Sequence, residues 1–237
     1  MTTPDILITG GGSGIGLALA RRYHQAGHIP LLVGRRTHLL EKAAAELPGA
    51  HIHIADITSP DARAALVAKY PHITTLIHSA AIQHNGDFAR QSTDAIEREL
   101  ATNLLAPIHL SHAYLPHLRQ QPQATIVFIT SALALVPKEN AALYCASKAA
   151  LHSLAQTLAW QLEQTNIRII DLMPPLVDTA MTAGRGHGKI SPDTVADAYW
   201  QALERGKNHI AVGKARWLGI IRRLSPALAT RLLRKSP

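Results

Sequence analysis

Asp5-Ile6-Leu7-Ile8-Thr9-Gly10-Gly11-Gly12-Ser13-Gly14-Ile15-Gly16 is the stretch that decides the fold. Its apolar opening reads as a strand buried on both faces, as in a parallel sheet. Five glycines in the seven positions Gly10 to Gly16 then turn the chain into a helical run, Leu17-Ala18-Leu19-Ala20, that reaches Gly27. Strand, glycine turn and helix make a dinucleotide-binding opening. The glycines admit backbone close to a pyrophosphate, and the helix's first turn offers it free N–H groups and a partial positive charge.

Working outward, the same strand-then-helix alternation repeats. A second strand, His28 to Val33, ends in Gly34-Arg35-Arg36-Thr37 and leads to helical residues Leu39 to Leu47. A carboxylate at that strand end would hold the adenosine ribose hydroxyls; Gly34 stands there instead, and two arginines follow, which suit a 2′-phosphate. The expectation is therefore NADP(H) over NAD(H), with Arg35 as the principal reader and Arg36 in support. A solvated helix entry is the plain alternative. Further strands are expected at His51 to Ala55, Ile73 to Ile77, Thr125 to Ile129, Arg168 to Met173 and His209 to Val212. Helices are expected at Ser59 to Tyr70, Thr93 to about Gln120 with bends at Pro107 and Pro116, Ala141 to about Gln164, and Asp193 to Arg205. This is an α/β fold, a Rossmann-like doubly wound parallel sheet of about seven strands in a single domain over residues 1–213. A basic amphipathic helical extension over 214–237 follows.

Tyr144-Cys145-Ala146-Ser147-Lys148 carries the chemistry. Four residues apart in an alanine-rich run, tyrosine and lysine lie one helical turn apart on one face. An ammonium beside a phenol can stabilise the phenolate, and roughly 4 kcal/mol would bring a phenol from its usual pKa to near neutrality. The bare spacing is permissive, and an ordinary surface helix satisfies it equally.

Taken together, Thr9 to Gly16, Ser131 thirteen residues before Tyr144, and the Tyr144/Lys148 pair resemble the short-chain dehydrogenase/reductase family, over the span from Ile6 to about Gly213. The phrase Thr102 to Leu110, with Pro174-Pro175-Leu176-Val177-Asp178-Thr179, resembles its DltE-type oxidoreductase subgroup. The resemblance implies an enzyme that interconverts a carbonyl and an alcohol by hydride transfer with NAD(P)(H). It implies Tyr144 as proton donor, Ser131 orienting the substrate oxygen, Lys148 lowering the tyrosine pKa, and Asn103 joined to the lysine through water. It implies Gly10, Gly12, Ser13, Gly14, Ile15, Gly16, Asp56, Ile57, Ala80, Asn103, Tyr144, Lys148 and Thr179, beside Arg35 and Arg36, as coenzyme-binding residues. Asp56 has a plain alternative as a helix cap. Two departures stand out: His78-Ser79-Ala80-Ala81 replaces the usual Asn-Asn-Ala-Gly under the coenzyme, and Pro175 replaces a glycine. A non-catalytic NADP(H)-binding sensor or scaffold is the alternative from another class.

Composition narrows the rest. The 237 residues suit one domain, and the single cysteine, Cys145, excludes an internal disulfide. With no cleavable signal after Met1, cytoplasmic localisation is the expectation, with a peripheral position at the inner membrane surface as a variant of it. The net charge of +8 is local: nine of the 24 Lys and Arg, and none of the 16 acidic residues, lie from Arg205 onward, leaving a nearly neutral body. That argues against nucleic acid and confines the question to the tail. Trp217-Leu218, Ile220-Ile221, Leu224, Leu228 and Leu232-Leu233 alternate there with Arg216, Arg222, Arg223, Arg231, Arg234 and Lys235, broken at Pro226. Packing on the subunit or a dimer mate, or weak peripheral membrane contact, are both open. Leu154, Leu158, Trp160 and Leu162 predict a homodimer or homotetramer packed through the Tyr144 helix. Residues Ala180 to Ile190 suit a mobile lid. None of the 14 histidines falls in a metal-ligand motif, so no metal is expected, although His78 and His84 lie near the presumed substrate.

Overall fold

Seven strands pair in parallel in the order β3-β2-β1-β4-β5-β6-β7 in the computed structural model, which describes residues 3–234. They are β1 (Ile6–Thr9), β2 (Pro30–Gly34), β3 (His51–Ile54), β4 (Thr75–His78), β5 (Ala124–Ile129), β6 (Ile167–Met173) and β7 (His209–Ala211). The expected seven-stranded, doubly wound α/β sheet is present, with element ends shifted by a few residues. The order reverses between β1 and β4, and the crevice at such a switch point is where an open parallel sheet binds its ligand. Thr9 lies level with both Val33 and His78, so the glycine turn, Gly34 and the loop after β4 leave the sheet side by side.

Each sheet face is covered by its own helices. Helices α1 (Gly14–Gln25), α2 (Thr37–Ala45) and α7 (Pro192–Glu204) enclose one apolar core with Ile8, Leu32, Ile170 and Ile210. Tyr23 and Tyr199 join α1 to α7 by hydroxyls 2.6 Å apart. On the opposite face, α3 (Pro60–Lys69), α5 (Ala106–Leu118) and α6 (Ala142–Gln161) enclose Leu7, Leu31, Leu76 and Phe128. Serines begin several helices by accepting an N–H of the first turn, as Ser59 does from Ala62 and Ser191 from Thr194, each followed by proline.

The expected long helix through Asn103 is present but not uniform. Helix α4 (Thr93–Leu100) runs through a π-helical segment, Ala101–Leu105, into α5. Pro107 has no N–H to return to the Asn103 carbonyl, and the ladder shifts, so that Ala106 N–H bonds Ala101 O, five residues back. Pro116, the other expected bend, lies inside α5, which continues past it.

The extension forms α8 (Lys214–Leu224) and α9 (Pro226–Leu233), divided at Pro226 as expected. Leu218 and Ala229 pack on Val136, while Trp217, Ile220, Leu224, Leu228 and Leu232 remain exposed. Met1 and Lys235, which the sequence reading used, lie outside the described residues.

Candidate active site

The glycine turn is built for close approach. Gly10 has φ of +68°, and a Cβ there would stand 2.9 Å from the Ala80 backbone; one on Gly16 would stand 2.5 Å from Gly10 O. Ser13, the residue before α1, makes no capping bond and no acidic residue occupies the first turn, so the helix's positive end faces a cavity of about 1070 Å³. That cavity runs from Arg35, Arg36, Asp56 and Ile57, past Gly10, Gly12, Ser13, Gly14, Ile15 and Ala80, to Ser131, Tyr144, Lys148 and Thr179. Thr179 faces Gly14 closely: a Cβ on that glycine would lie 3.2 Å from Thr179 Cγ2. Turn, cavity and cationic strand end fit an elongated dinucleotide.

At the strand end, Arg35 Nη1 lies 3.3 Å from Asp56 Oδ2, and Arg36 Nη2 donates to Ser13 Oγ at 3.3 Å. Partial burial favours the neutral acid at Asp56, but the Thr58 N–H and hydroxyl, with Arg35, hold it below the usual carboxylate range. Asp56 is not the cap of α3; Ser59 is.

Thr9 holds the loop after β4. Its Oγ1 accepts the Ser79 and Ala80 N–H groups at 3.2 and 3.3 Å and donates to Ile77 O. His78 turns away from the cavity, stacks on Phe128 with centroids 5.1 Å apart, and meets Ser111 Oγ at 2.8 Å. Burial pushes its pKa down to about 3, with the Lys148 charge adding to the effect. His84 gives its ring to buried Glu99 at 2.9 Å. Neither histidine lines the cavity, and both serve as polar contacts of the loop after β4 and its neighbours.

Tyr144 rises from the first turn of α6, and Lys148 follows one turn later. Lys148 Nζ donates to Ile129 O at 2.7 Å and stands 5.7 Å from the Tyr144 ring centroid. Burial pushes the tyrosine up to about 12, opposed by the hydrogen bond with Ser131, and pushes the lysine down to about 8, opposed by Asp171. A phenol near neutrality was expected from the adjacent cation. In the structure burial prevails, so Tyr144 holds its proton. Ser131 follows β5, with Oγ accepting the Leu133 N–H.

Asn103 is fully buried, and the π segment turns its amide toward the loop after β4. Oδ1 accepts the Ile82 N–H and Nδ2 donates to Ile82 O, both at 2.8 Å, with Ser147 Oγ at 3.4 Å. Its direct partners are thus the loop backbone and Ser147. Asn103 does not line the cavity.

Behind Lys148 lies a cluster to which the sequence reading gave no role. Asp171, in the middle of β6, accepts from His152 Nδ1 at 2.5 Å and His209 Nδ1 at 3.0 Å through Oδ2, and from Thr130 Oγ1 at 2.5 Å through Oδ1. Burial would raise its pKa, but these three donors hold it down at about 2. An aspartate in a strand otherwise apolar from Ile169 to Met173 was the available signal. The expected apolar outer face of α6 is also narrower: Leu162 is buried, Leu154 and Leu158 pack against the core, and Trp160 alone of the four stands exposed.

Comparison with known proteins agrees with this geometry. The profile described as short chain dehydrogenase matches residues 5–189. The chain is 36% identical over 222 residues to the oxidoreductase DltE of Bacillus subtilis (strain 168), covering 89% of this chain and 88% of that one. A short-chain dehydrogenase from Sphingobium yanoikuyae, solved with NADPH, superposes with a TM-score of 0.83 at 27% identity and 95% coverage of both chains. One from Burkholderia cenocepacia J2315, solved with NADP, shares the fold with a TM-score of 0.87 at 24% identity, over 98% of each chain. With the glycine turn, Ser131, Tyr144 and Lys148 along one cavity, this chain belongs to the short-chain dehydrogenase/reductase family and is an oxidoreductase of that family.

Proposed function

We propose that the protein is an NADP(H)-preferring oxidoreductase that interconverts a carbonyl and an alcohol, with Tyr144, Ser131 and Lys148 as its catalytic residues. The observation that carries this reading is that the three side chains line the same cavity as the glycine turn, at its opposite end from Arg35 and Arg36. A bound nicotinamide coenzyme supplies or accepts the hydride. Gly10, Gly12, Ser13, Gly14, Ile15 and Gly16 hold its pyrophosphate, Arg35 and Arg36 its 2′-phosphate, Asp56, Ile57 and Ala80 its adenosine side, and Thr179 its nicotinamide side.

The residues' own contribution is proton handling. Because the Tyr144 phenol keeps its proton at neutral pH, it is placed to donate to the substrate oxygen during reduction. Ser131 donates a hydrogen bond to the same oxygen, and the Lys148 ammonium stabilises the phenolate left behind and returns a proton to it. Asn103 acts by fixing the Ile82 backbone beneath this site. An intact set of these residues favours an enzyme over the non-catalytic sensor reading.

Association as a homodimer or homotetramer through the α6 face bearing Trp160, and weak contact of α8 and α9 with an anionic membrane, belong to the same proposal. The exposed apolar residues of α8 and α9 beside Arg216, Arg222, Arg223 and Arg231 support the second. Among the described residues no helix is long and apolar enough to cross a membrane. The test of the main reading is a carbonyl panel assayed by NADPH absorbance: turnover of any member, lost on Tyr144→Phe, supports it, and no turnover of any member by a protein that binds NADPH contradicts it.

A further inference from the structure

Among the described residues, the substrate end of the cavity carries cations without carboxylates. Lys138, Arg185, His187 and Lys214 share its lining with Tyr144, whereas Asp56, the one acidic lining residue among those described, stands at the far end beside Arg35. Arg185 is half-buried. Its charge reaches the Tyr144 phenol, whose pKa it lowers, and after burial it is the next cause holding Lys138 below the usual lysine range. Lys214 opens α8, where the helix dipole disfavours a cation and no acidic residue in the first turn compensates. Its ammonium leans over the substrate-side loop: a Cβ on Gly188 would lie 3.5 Å from Nζ.

What these two cations lack is as informative as where they stand. None of the ion pairs among the described residues includes Arg185 or Lys214. Their neighbour Lys189 is held otherwise, by Asp178 at 3.3 Å and by Thr182 O at 2.7 Å. Like charges gathered around a concave, partly dry surface repel one another, and the field they sum to favours an anion. Arg185 adds a planar fork that matches two oxygens of one carboxylate or phosphate.

We propose that Arg185 and Lys214 form an anion subsite, and that the substrate is a carbonyl compound bearing a carboxylate or phosphate, its anionic end on these cations and its carbonyl toward Ser131 and Tyr144. This rests on the carbonyl-reductase reading of the same cavity. The subsite sets specificity, and neither cation is itself a proton donor to the substrate. Its removal therefore weakens binding of the anionic substrate first.

The test has two arms. In the first, calorimetry measures binding to the NADP⁺-loaded protein of oxo acids of increasing chain length and of their methyl esters, and of dihydroxyacetone phosphate and dihydroxyacetone. The parent is expected to bind the anionic member of at least one pair about tenfold more tightly than its neutral partner, with Arg185→Ala and Lys214→Ala each removing most of that difference. The oxo acids and the keto phosphate, compared with each other, assign the anion. The second arm follows NADPH consumption with the same compounds. In the variants KM should rise for the anionic substrate alone, with coenzyme affinity unchanged and, in Lys214→Ala, kcat unchanged as well. Equal binding within every pair, absence of binding by every anion, or a preference that survives both substitutions overturns the proposal. So does a loss that tracks weakened coenzyme binding, since the cations would then serve the coenzyme's phosphates. Anion-selective binding without any reduction leaves the subsite standing and overturns the catalytic reading instead.

Discussion

Lys148 holds its ammonium 5.7 Å from the centre of the Tyr144 ring while donating its hydrogen bond to Ile129 O at the end of β5. The pair is thus fixed by α6, which supplies both side chains, and by the sheet, which anchors the lysine. With Tyr144 pushed up to about 12 and Lys148 down to about 8, the fully protonated pair dominates at neutral pH. Reduction should accordingly lose rate as pH rises through the lysine's titration, because phenolate left after donation then has no ammonium beside it.

Asp171 counteracts the effect of burial on Lys148, so Asp171→Asn should lower the lysine pKa further and move the alkaline limb of the reduction profile to lower pH. A merely structural role would change stability without moving that limb. The stability change has its own sign. The Asp171 pKa is lower in the folded protein, so its contribution is present above the ordinary carboxylate pKa and is lost as pH falls from near 3.8 toward about 2. Breaking the buried cluster should cost about 3 kcal/mol in urea unfolding at neutral pH. An unmoved alkaline limb would contradict the assigned link to Lys148.

His78 predicts sensitivity to milder acid. Its folded pKa, near 3, lies below the unfolded value of 6.5, so between the two the unfolded chain binds more protons. Its contribution is complete above 6.5 and lost as pH falls through 6.5 toward 3, at about 1.4 kcal/mol per pH unit. Comparing urea stability at about pH 7.5 and pH 5, His78→Asn should lose less on acidification than the parent by roughly 2 kcal/mol. Equal losses in the two proteins would remove His78 as the cause.

Much of this was legible in the sequence because the glycine turn and the apolar strands are local signals. The Tyr144/Lys148 face needs only helical spacing, and the split of the tail at Pro226 needs only the chemistry of proline. Long-range pairing was not legible. Thr9 reaches the Ser79 and Ala80 N–H groups only because β1 and β4 lie side by side, and Asp171 gathers His152 and His209 from two other elements. Burial likewise pushes the Tyr144 pKa up, and the surroundings that do so come from elements distant in sequence.

For the tail, the expected outcome is salt-sensitive sedimentation with phosphatidylglycerol vesicles at low ionic strength, each exposed arginine near the surface contributing about 1 kcal/mol. The paired substitution Arg222→Glu/Arg223→Glu should abolish it while leaving the packing of Leu218 and Ala229 on Val136 intact. Unchanged binding by that variant would leave α8 and α9 with a packing role alone.

Coenzyme preference follows from Gly34, which offers no carboxylate to repel a 2′-phosphate, and from Arg35 and Arg36 on the cavity wall. Both guanidiniums have weak partners at 3.3 Å, Asp56 Oδ2 and Ser13 Oγ, which a phosphate can displace. Fluorescence titration should show NADPH binding the parent at least tenfold more tightly than NADH, with Arg35→Ala and Arg36→Ala each narrowing the ratio. Equal affinities in the parent would contradict the assignment.

The central claim is that Tyr144 supplies the proton for carbonyl reduction. The most direct measurement is single-turnover NADPH oxidation with a carbonyl that the parent accepts, compared between the parent and Tyr144→Phe, with coenzyme affinity measured on both. The account predicts unchanged NADPH affinity and a hydride-transfer rate reduced at least a hundredfold, within the usual contribution of a positioned general acid. A rate in Tyr144→Phe within a few-fold of the parent's would contradict it.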